Sequence, residues 1–243
     1  YNTTKTINGV TCYYYTDSAL TSCLSSGYNI TKPTRTGYTF GGYYTSTGGS
    51  GTNYVNSSGT FVNNAYQTTG NKTLYAKWTA NKYTVTLNNQ SATSAGSTSV
   101  TATYGSAMPG ITRPSRSYTV NYNGNGGSVG TTSSTSTYTF NGYYTSTGGG
   151  GTQYYNSSGG SARSWNLTNN TTLYASWSSK AVTLPTPSRT GYTFDGWYTA
   201  SAGGTKVGDA GGIYTPTSTL TLYAHWTQIT FSIDTNPVIN GTT

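Results

Sequence analysis

The chain has 243 residues and only 7% of them are charged, against roughly 25% in ordinary globular domains; 12 basic and 4 acidic residues leave a net charge of +8. The basic residues are scattered with no two adjacent, unlike the clustered face of a nucleic-acid site, and no apolar run approaches the ~20 residues of a membrane-spanning helix. With 25 Tyr, 5 Trp and 14% aromatic residues the chain is not a disordered tract either. Thr, Ser, Asn and Gly supply the solvation that charge supplies elsewhere, which suits a surface outside the cell. A start at Tyr1, without Met or signal peptide, fits a processed secreted protein or an excised fragment.

The first predicted element is a strand over Thr11-Cys12-Tyr13-Tyr14-Tyr15. Thr16-Asp17 then offers an N-cap, and Leu20, Cys23 and Leu24 share one face of a two-turn helix that stops at Gly27. Cys12 and Cys23 have no metal-binding pattern beside them, and in a secreted chain they are expected to form a disulfide that staples helix to strand. By the chain-entropy model such a loop contributes about 3 kcal/mol.

From here the chain repeats itself. Thr36-Gly37-Tyr38-Thr39-Phe40-Gly41-Gly42-Tyr43-Tyr44 returns as Tyr138-Thr139-Phe140-Asn141-Gly142-Tyr143-Tyr144, and again as Thr190-Gly191-Tyr192-Thr193-Phe194-Asp195-Gly196-Trp197-Tyr198. Each copy is followed by a closing strand: Thr73-Leu74-Tyr75-Ala76-Lys77-Trp78, Thr172-Leu173-Tyr174-Ala175-Ser176-Trp177 and Thr221-Leu222-Tyr223-Ala224-His225-Trp226. Two phrases recurring in order predict a tandem array of small domains rather than one large core. Alternation in each closing strand puts Leu, Ala and Trp on one face, as in antiparallel sheets with one wet side. Phe40, Trp78, Phe140, Trp177, Phe194 and Trp226 are the expected repeat cores.

Gly48-Gly49-Ser50-Gly51, Gly148–Gly151 and Gly203-Gly204 stand at one place in each repeat. They lack the Gly-Lys-Ser/Thr ending of a phosphate loop and read as hairpin loops. Between the first and second closing strands lie two alternating strands of the opening type, Tyr83-Thr84-Val85-Thr86-Leu87 and Tyr118-Thr119-Val120-Asn121-Tyr122. The third repeat has almost none. Folded proteins avoid the open edge this leaves. Three fillers are available: the tail Gln228-Ile229-Thr230-Phe231-Ser232-Ile233, the spare opening of the middle repeat, or a strand from a neighbouring molecule.

Lys32–Phe40 and Leu184–Tyr198, with the closing Leu-Tyr-Ala-x-Trp, resemble the internalin B-type or Listeria–Bacteroides repeat over most of residues 32–227. The usual Trp after Phe-x-Gly is kept only at Trp197; Tyr43 and Tyr143 replace it. The resemblance implies β-grasp-like domains in tandem on secreted or surface-attached microbial proteins, with adhesion or stalk roles and no catalytic residues. The expected fold is therefore mainly β, a rod of small β-grasp-like repeat domains with one short N-terminal helix. Its divisions are a strand-helix segment over 1–31 completing the first unit, repeat 1 over 32–79, a long repeat 2 over 80–178 with an extra opening strand, a shortened repeat 3 over 179–228, and a strand or tail over 229–243.

Catalysis finds little material. Asp17, Asp195, Asp209, Asp234 and His225 are scattered. His225 stands where the other copies have Lys77 and Ser176, so it reads as a solvated strand residue, and Asp195 reads as a turn residue. An internal Lys–Asn crosslink needs a buried carboxylate beside it, and no spacing marks one. The Thr rows are too interrupted by aromatics for an ice-binding face. Asn-x-Ser/Thr sequons, Asn156 and Asn166 among them, permit glycosylation without showing it. The expectation is a non-enzymatic, extracellular structural or adhesive protein without cofactors, self-associating or joined to neighbouring domains of a surface protein, and polymerising by β-strand addition if the third repeat borrows its strand. The alternative is a carbohydrate-binding module that meets glycans or a neighbouring cell through Tyr54, Tyr154, Tyr155 and Trp165, the aromatics outside the repeat pattern.

Overall fold

The computed structural model describes residues 5–7, 10–12, 29–62 and 72–233. Its strands in chain order are β1 (Lys5–Ile7), β2 (Val10–Cys12), β3 (Tyr38–Tyr44), β4 (Asn53–Val55), β5 (Tyr75–Ala80), β6 (Lys82–Asn88), β7 (Ser99–Thr103), β8 (Ser117–Asn123) and β9 (Ser133–Thr137). There follow β10 (Thr139–Tyr144), β11 (Gln153–Tyr155), β12 (Thr171–Ser178), β13 (Val182–Thr183), β14 (Tyr192–Tyr198), β15 (Lys206–Gly208), β16 (Ile213–Tyr214) and β17 (Leu220–Gln228). The protein is mainly β. Among the described residues there is no α-helix, only the 3-10 turns Thr47–Gly49 and Thr147–Gly149 inside the Gly-rich loops. The helix expected around Leu20 and the Cys12–Cys23 pairing lie outside the described residues. Val10–Cys12 is a strand, paired through its backbone with Lys5–Ile7.

Three sheets carry the repeats, in the orders β4-β3-β5, β11-β10-β12-β6-β7 and β15-β14-β17-β8-β9. In each, the Phe-x-Gly strand pairs antiparallel with its closing strand: Phe40 opposes Trp78, Phe140 opposes Trp177 and Phe194 opposes Trp226. These rings meet edge-on or tilted, at 5.6, 5.5 and 5.4 Å between centroids. Such pairs contribute about 0.5–1.5 kcal/mol beyond area burial. The repeated glycine after Phe-x sits at a bulge. Gly142 has φ 125°, and a Cβ there would lie 2.0 Å from the Tyr155 carbonyl oxygen of the next strand, so only glycine fits.

The second and third sheets gain two more strands each. β12 runs parallel to β6, with Leu173 opposite Leu87, and β17 runs parallel to β8, with Leu222 opposite Tyr122. Alternation along β6 and β8 turns Val85 and Leu87, or Val120 and Tyr122, into the cores. Two separate clusters result, one around Val85, Tyr143, Trp165 and Leu173, the other around Val120, Leu184, Trp197 and Leu222.

The β8–β9 hairpin changes how the repeats divide. Residues 117–137 fall in sequence within the second repeat, yet they supply two strands of the third sheet. The hairpin interrupts a turn. In the first and third repeats, Tyr38 donates its backbone N–H to Arg35 and Tyr192 to Arg189, at 3.0 and 3.2 Å, across Thr-Gly. In the second, Tyr138 donates to Arg116 at 2.8 Å across the whole hairpin. Of the three fillers open to the third repeat, the spare opening of the middle one takes the place. The third sheet draws that strand from its own chain.

Candidate functional site

The recurrent feature is the seat of the opening hairpin against the closing strand. Its first component is the parallel pairing, which starts just after a side-chain cap. Asn170 Oδ1 accepts the Thr84 N–H at 2.9 Å, and Thr219 Oγ1 accepts the Thr119 N–H at 3.2 Å. The second is the hairpin loop. Asn88 and Asn123 fold their side chains onto the N–H groups of Gln90 and Asn125, which hold φ of 47° and 46°. The third is the closing tryptophan. Trp177 Nε1 donates to Asn89 O at 3.2 Å, and Trp226 Nε1 donates to Gly124 O at 2.9 Å. A residual crevice beside each tryptophan holds about 190 Å³ in the second unit and about 250 Å³ in the third.

Among the described residues the first unit has the same closing strand without that cover. Among the described residues β5 pairs only with β3. Strand geometry begins at Tyr75, whereas β12 is already extended at Thr171, four residues before Ala175, the counterpart of Ala76. Beside Trp78 lies an open hollow of about 720 Å³, lined by Lys32, Arg35, Tyr38, Phe40 and Ser57 among others. It stands where the hairpin loops sit in the other two units.

An arginine stacks on the tyrosine of each turn: Arg35 over Tyr38 at 3.9 Å, Arg116 over Tyr138 at 4.5 Å and Arg189 over Tyr192 at 3.7 Å. At 3.9 and 3.7 Å the first and third guanidiniums are in van der Waals contact with the ring. These contacts give the repeated Pro-x-Arg a packing role.

The expected glycan contacts are placed differently. Tyr154, Tyr155 and Trp165 are 1%, 0% and 0% exposed, so they offer no face to a sugar. They are core because a second layer of chain folds over β11: Trp165 packs on Tyr154 at 4.8 Å, and the Tyr155 hydroxyl donates to Pro109 O at 2.8 Å. Only Tyr54 is half-buried. Burial pushes the Tyr143 phenol up to about 12. Burial, and secondarily Tyr143, does the same to Tyr155, also to about 12.

Phe40 and Phe140 are 7% and 6% exposed, while Trp78, Trp177, Phe194 and Trp226 are half-buried. Trp177 packs against the second-unit core, and Phe194 and Trp226 against the third. His225 is not simply solvated: its ring stacks on Tyr198 at 3.9 Å, and its Nε2 lies 2.8 Å from Ala200 O. Asp195 accepts from Thr227 Oγ1 at 2.8 Å, and Asp209 pairs with Lys206 on the surface at 2.7 Å. Among the described residues no three His, Cys, Asp or Glu side chains gather.

The shared hairpin seat and the bulged Phe-x-Gly strand define a class of small β repeat domains. The model of the Listeria–Bacteroides repeat domain matches residues 6–77 and 178–225, so the chain carries repeats of that family in those two segments. The second match contains the closing half of the third unit but not its opening hairpin, which lies far upstream in the chain. No curated protein and no solved structure matches the chain. Proteins with this repeat are typically surface-exposed and the repeat is generally non-catalytic. No described helix is long and apolar enough to cross a membrane.

Proposed function

We propose that the protein is an extracellular, non-enzymatic structural segment, a stalk or appendage part that holds successive repeat domains in line on a microbial surface. The observation that carries this reading is the sharing of strands between units. β5 of the first unit runs through Asn81 alone into β6 of the second, and the second unit's turn carries the hairpin of the third. Tyr104, just after β7, packs edge-on against Tyr38 of the first unit at 5.7 Å, and the Tyr138 hydroxyl donates to Pro216 O at 2.8 Å between the second and third. Links this short and this bonded suit a part that transmits force or sets distance. The charge-poor, Thr- and Asn-rich surface suits the outside of a cell.

Small-angle X-ray scattering at low concentration tests the stalk reading. A compact globule of this length has a radius of gyration of about 18 Å. The stalk reading expects a value above about 25 Å with an elongated distance distribution. A radius near the compact value overturns it.

A further inference from the structure

The crevices beside Trp177 and Trp226 occupy the same place in two units, and their polar groups are used differently. In the third unit the protein engages them itself. Asn125 Nδ2 reaches from the hairpin loop to Ser201 O at 2.9 Å and to Ala224 O at 3.0 Å. His225 Nε2 lies 2.8 Å from Ala200 O, and its ring covers Tyr198. Asp195 adds a carboxylate to the lining. In the first unit Lys77 stands at the position of His225. Its Nζ is 5.6 Å from the centroid of the Tyr44 ring, and a Cβ added at Gly49 of the Gly-rich loop would lie 2.4 Å from its Cδ. In both units, then, the residue before the closing tryptophan reaches the loop and covers a tyrosine.

The second unit has Ser176 there. It is 8% exposed, it lines the crevice, and among the described residues its hydroxyl has no hydrogen-bond partner. Buried hydroxyls are almost always bonded, so one that the protein leaves open is completed by water or by a ligand. Tyr144 shares the sheet face of Ser176, because it pairs with Tyr174 two residues earlier. Among the described residues no ring or cation lies over Tyr144, although its counterparts Tyr44 and Tyr198 are both covered. Gln90, at the position of Asn125, folds its Nε2 back to Asn88 Oδ1 at 2.9 Å instead of crossing to the Gly-rich loop. No carboxylate lines this crevice. Arg116 does line it, and only its Nε is bonded, donating to the Tyr118 hydroxyl at 3.1 Å. The space of about 190 Å³ equals roughly six waters at about 30 Å³ each, the scale of one sugar ring rather than a length of chain.

We propose that the crevice between Arg116, Ser176 and Trp177 binds one acidic sugar residue of a polysaccharide, a uronate, with its carboxylate on the Arg116 guanidinium and a ring hydroxyl on Ser176 Oγ. A planar guanidinium suits a carboxylate, and the open Tyr144 ring beside it offers a face to the sugar. The net charge of +8 favours an acidic polymer over a neutral one. The site goes beyond the stalk reading, and it lies on residues of the repeat itself rather than on the buried Tyr154, Tyr155 and Trp165. It belongs to the second unit, because His225 and Asn125 engage the equivalent groups of the third.

The test is titration calorimetry of the full chain with a short oligogalacturonate, a neutral malto-oligosaccharide of the same length and inorganic phosphate. The oligogalacturonate is expected to bind, and to bind more weakly as salt is raised from about 0.05 to 0.3 M. Ser176→His, which places in the second unit the residue that the third already carries, is expected to weaken binding about tenfold or more with unchanged near-ultraviolet dichroism. Arg116→Gln is expected to weaken it by a similar factor and to remove most of the salt dependence. Undiminished binding by Ser176→His overturns the site even if Arg116→Gln fails to fold. Equal binding of the neutral oligosaccharide overturns the role of the carboxylate. Phosphate that binds as tightly as the oligogalacturonate makes the crevice a plain anion site and overturns the sugar. A wild type that binds none of the three overturns the proposal and leaves the stalk reading to its own scattering test.

Discussion

The first sheet and the third are built from nearly the same phrases, yet among the described residues one has three strands and the other five. In the third, β8 covers the far side of the closing strand and Leu222 is 0% exposed; in the first, the equivalent Leu74 is half-buried. The closing strand alone does not make a core. It supplies one wall, and the hairpin supplies the other, so the stability of a unit depends on a segment that need not be adjacent to it in sequence.

The largest expected effect follows from this. Leu222→Ala and Leu173→Ala should each cost about 2–5 kcal/mol in urea unfolding, whereas Leu74→Ala should cost about 1 kcal/mol or less. Equal costs at all three would break the comparison by showing that the first sheet is covered as well as the others. Gly142→Ala should cost about 3 kcal/mol and Gly42→Ala nearly as much, because the left-handed backbone and the facing carbonyl are internal to the shared strands. A much smaller loss at Gly42 would mean that the first sheet relaxes where the five-stranded one does not.

A third effect concerns the second core. Tyr143 and Tyr155 have folded values raised to about 12 from 10.0, so their contribution to stability is complete below pH 10 and is lost as pH rises toward 12. Absorbance at 295 nm should show these phenols ionising together with unfolding in that window, and Tyr143→Phe should move the transition to higher pH. The smallest effect is at the turns: Arg189→Ala should lower stability by about 0.5–1 kcal/mol, read by thermal melting. A loss several times larger would make the arginine a structural pin rather than a surface stack.

The strand type was legible because glycine, aromatic and alternation patterns recur with fixed spacing; of the six expected core aromatics, Phe40 and Phe140 are buried and the other four half-buried. The extra opening within the middle repeat was legible too. Its destination was harder to read, because nothing local in Tyr118–Tyr122 says which closing strand it joins. One signal does exist: Pro114-Ser115-Arg116 copies the Pro-Ser-Arg at 187–189 that normally leads into Tyr-Thr-Phe, so the interruption after Arg116 marks an insertion. Tyr154, Tyr155 and Trp165 looked like surface candidates because they fall outside the repeat. They are buried because the segment around Trp165 folds back, its N–H bonding to Ser106 O at 2.8 Å, a long-range contact that periodicity does not encode.

The inserted hairpin also sets an order of events during synthesis. The bond from Thr119 to Thr219 spans 100 residues. At roughly 5–20 residues per second, the β8–β9 hairpin leaves the ribosome roughly 5–20 s before the strand it must join. Through that interval two similar hairpins wait on one nascent chain, and β12 emerges before β17. The hairpins differ in what they bring to the core: Leu87 meets the second, while the bulkier Tyr122 packs on Trp197 of the third at 5.2 Å.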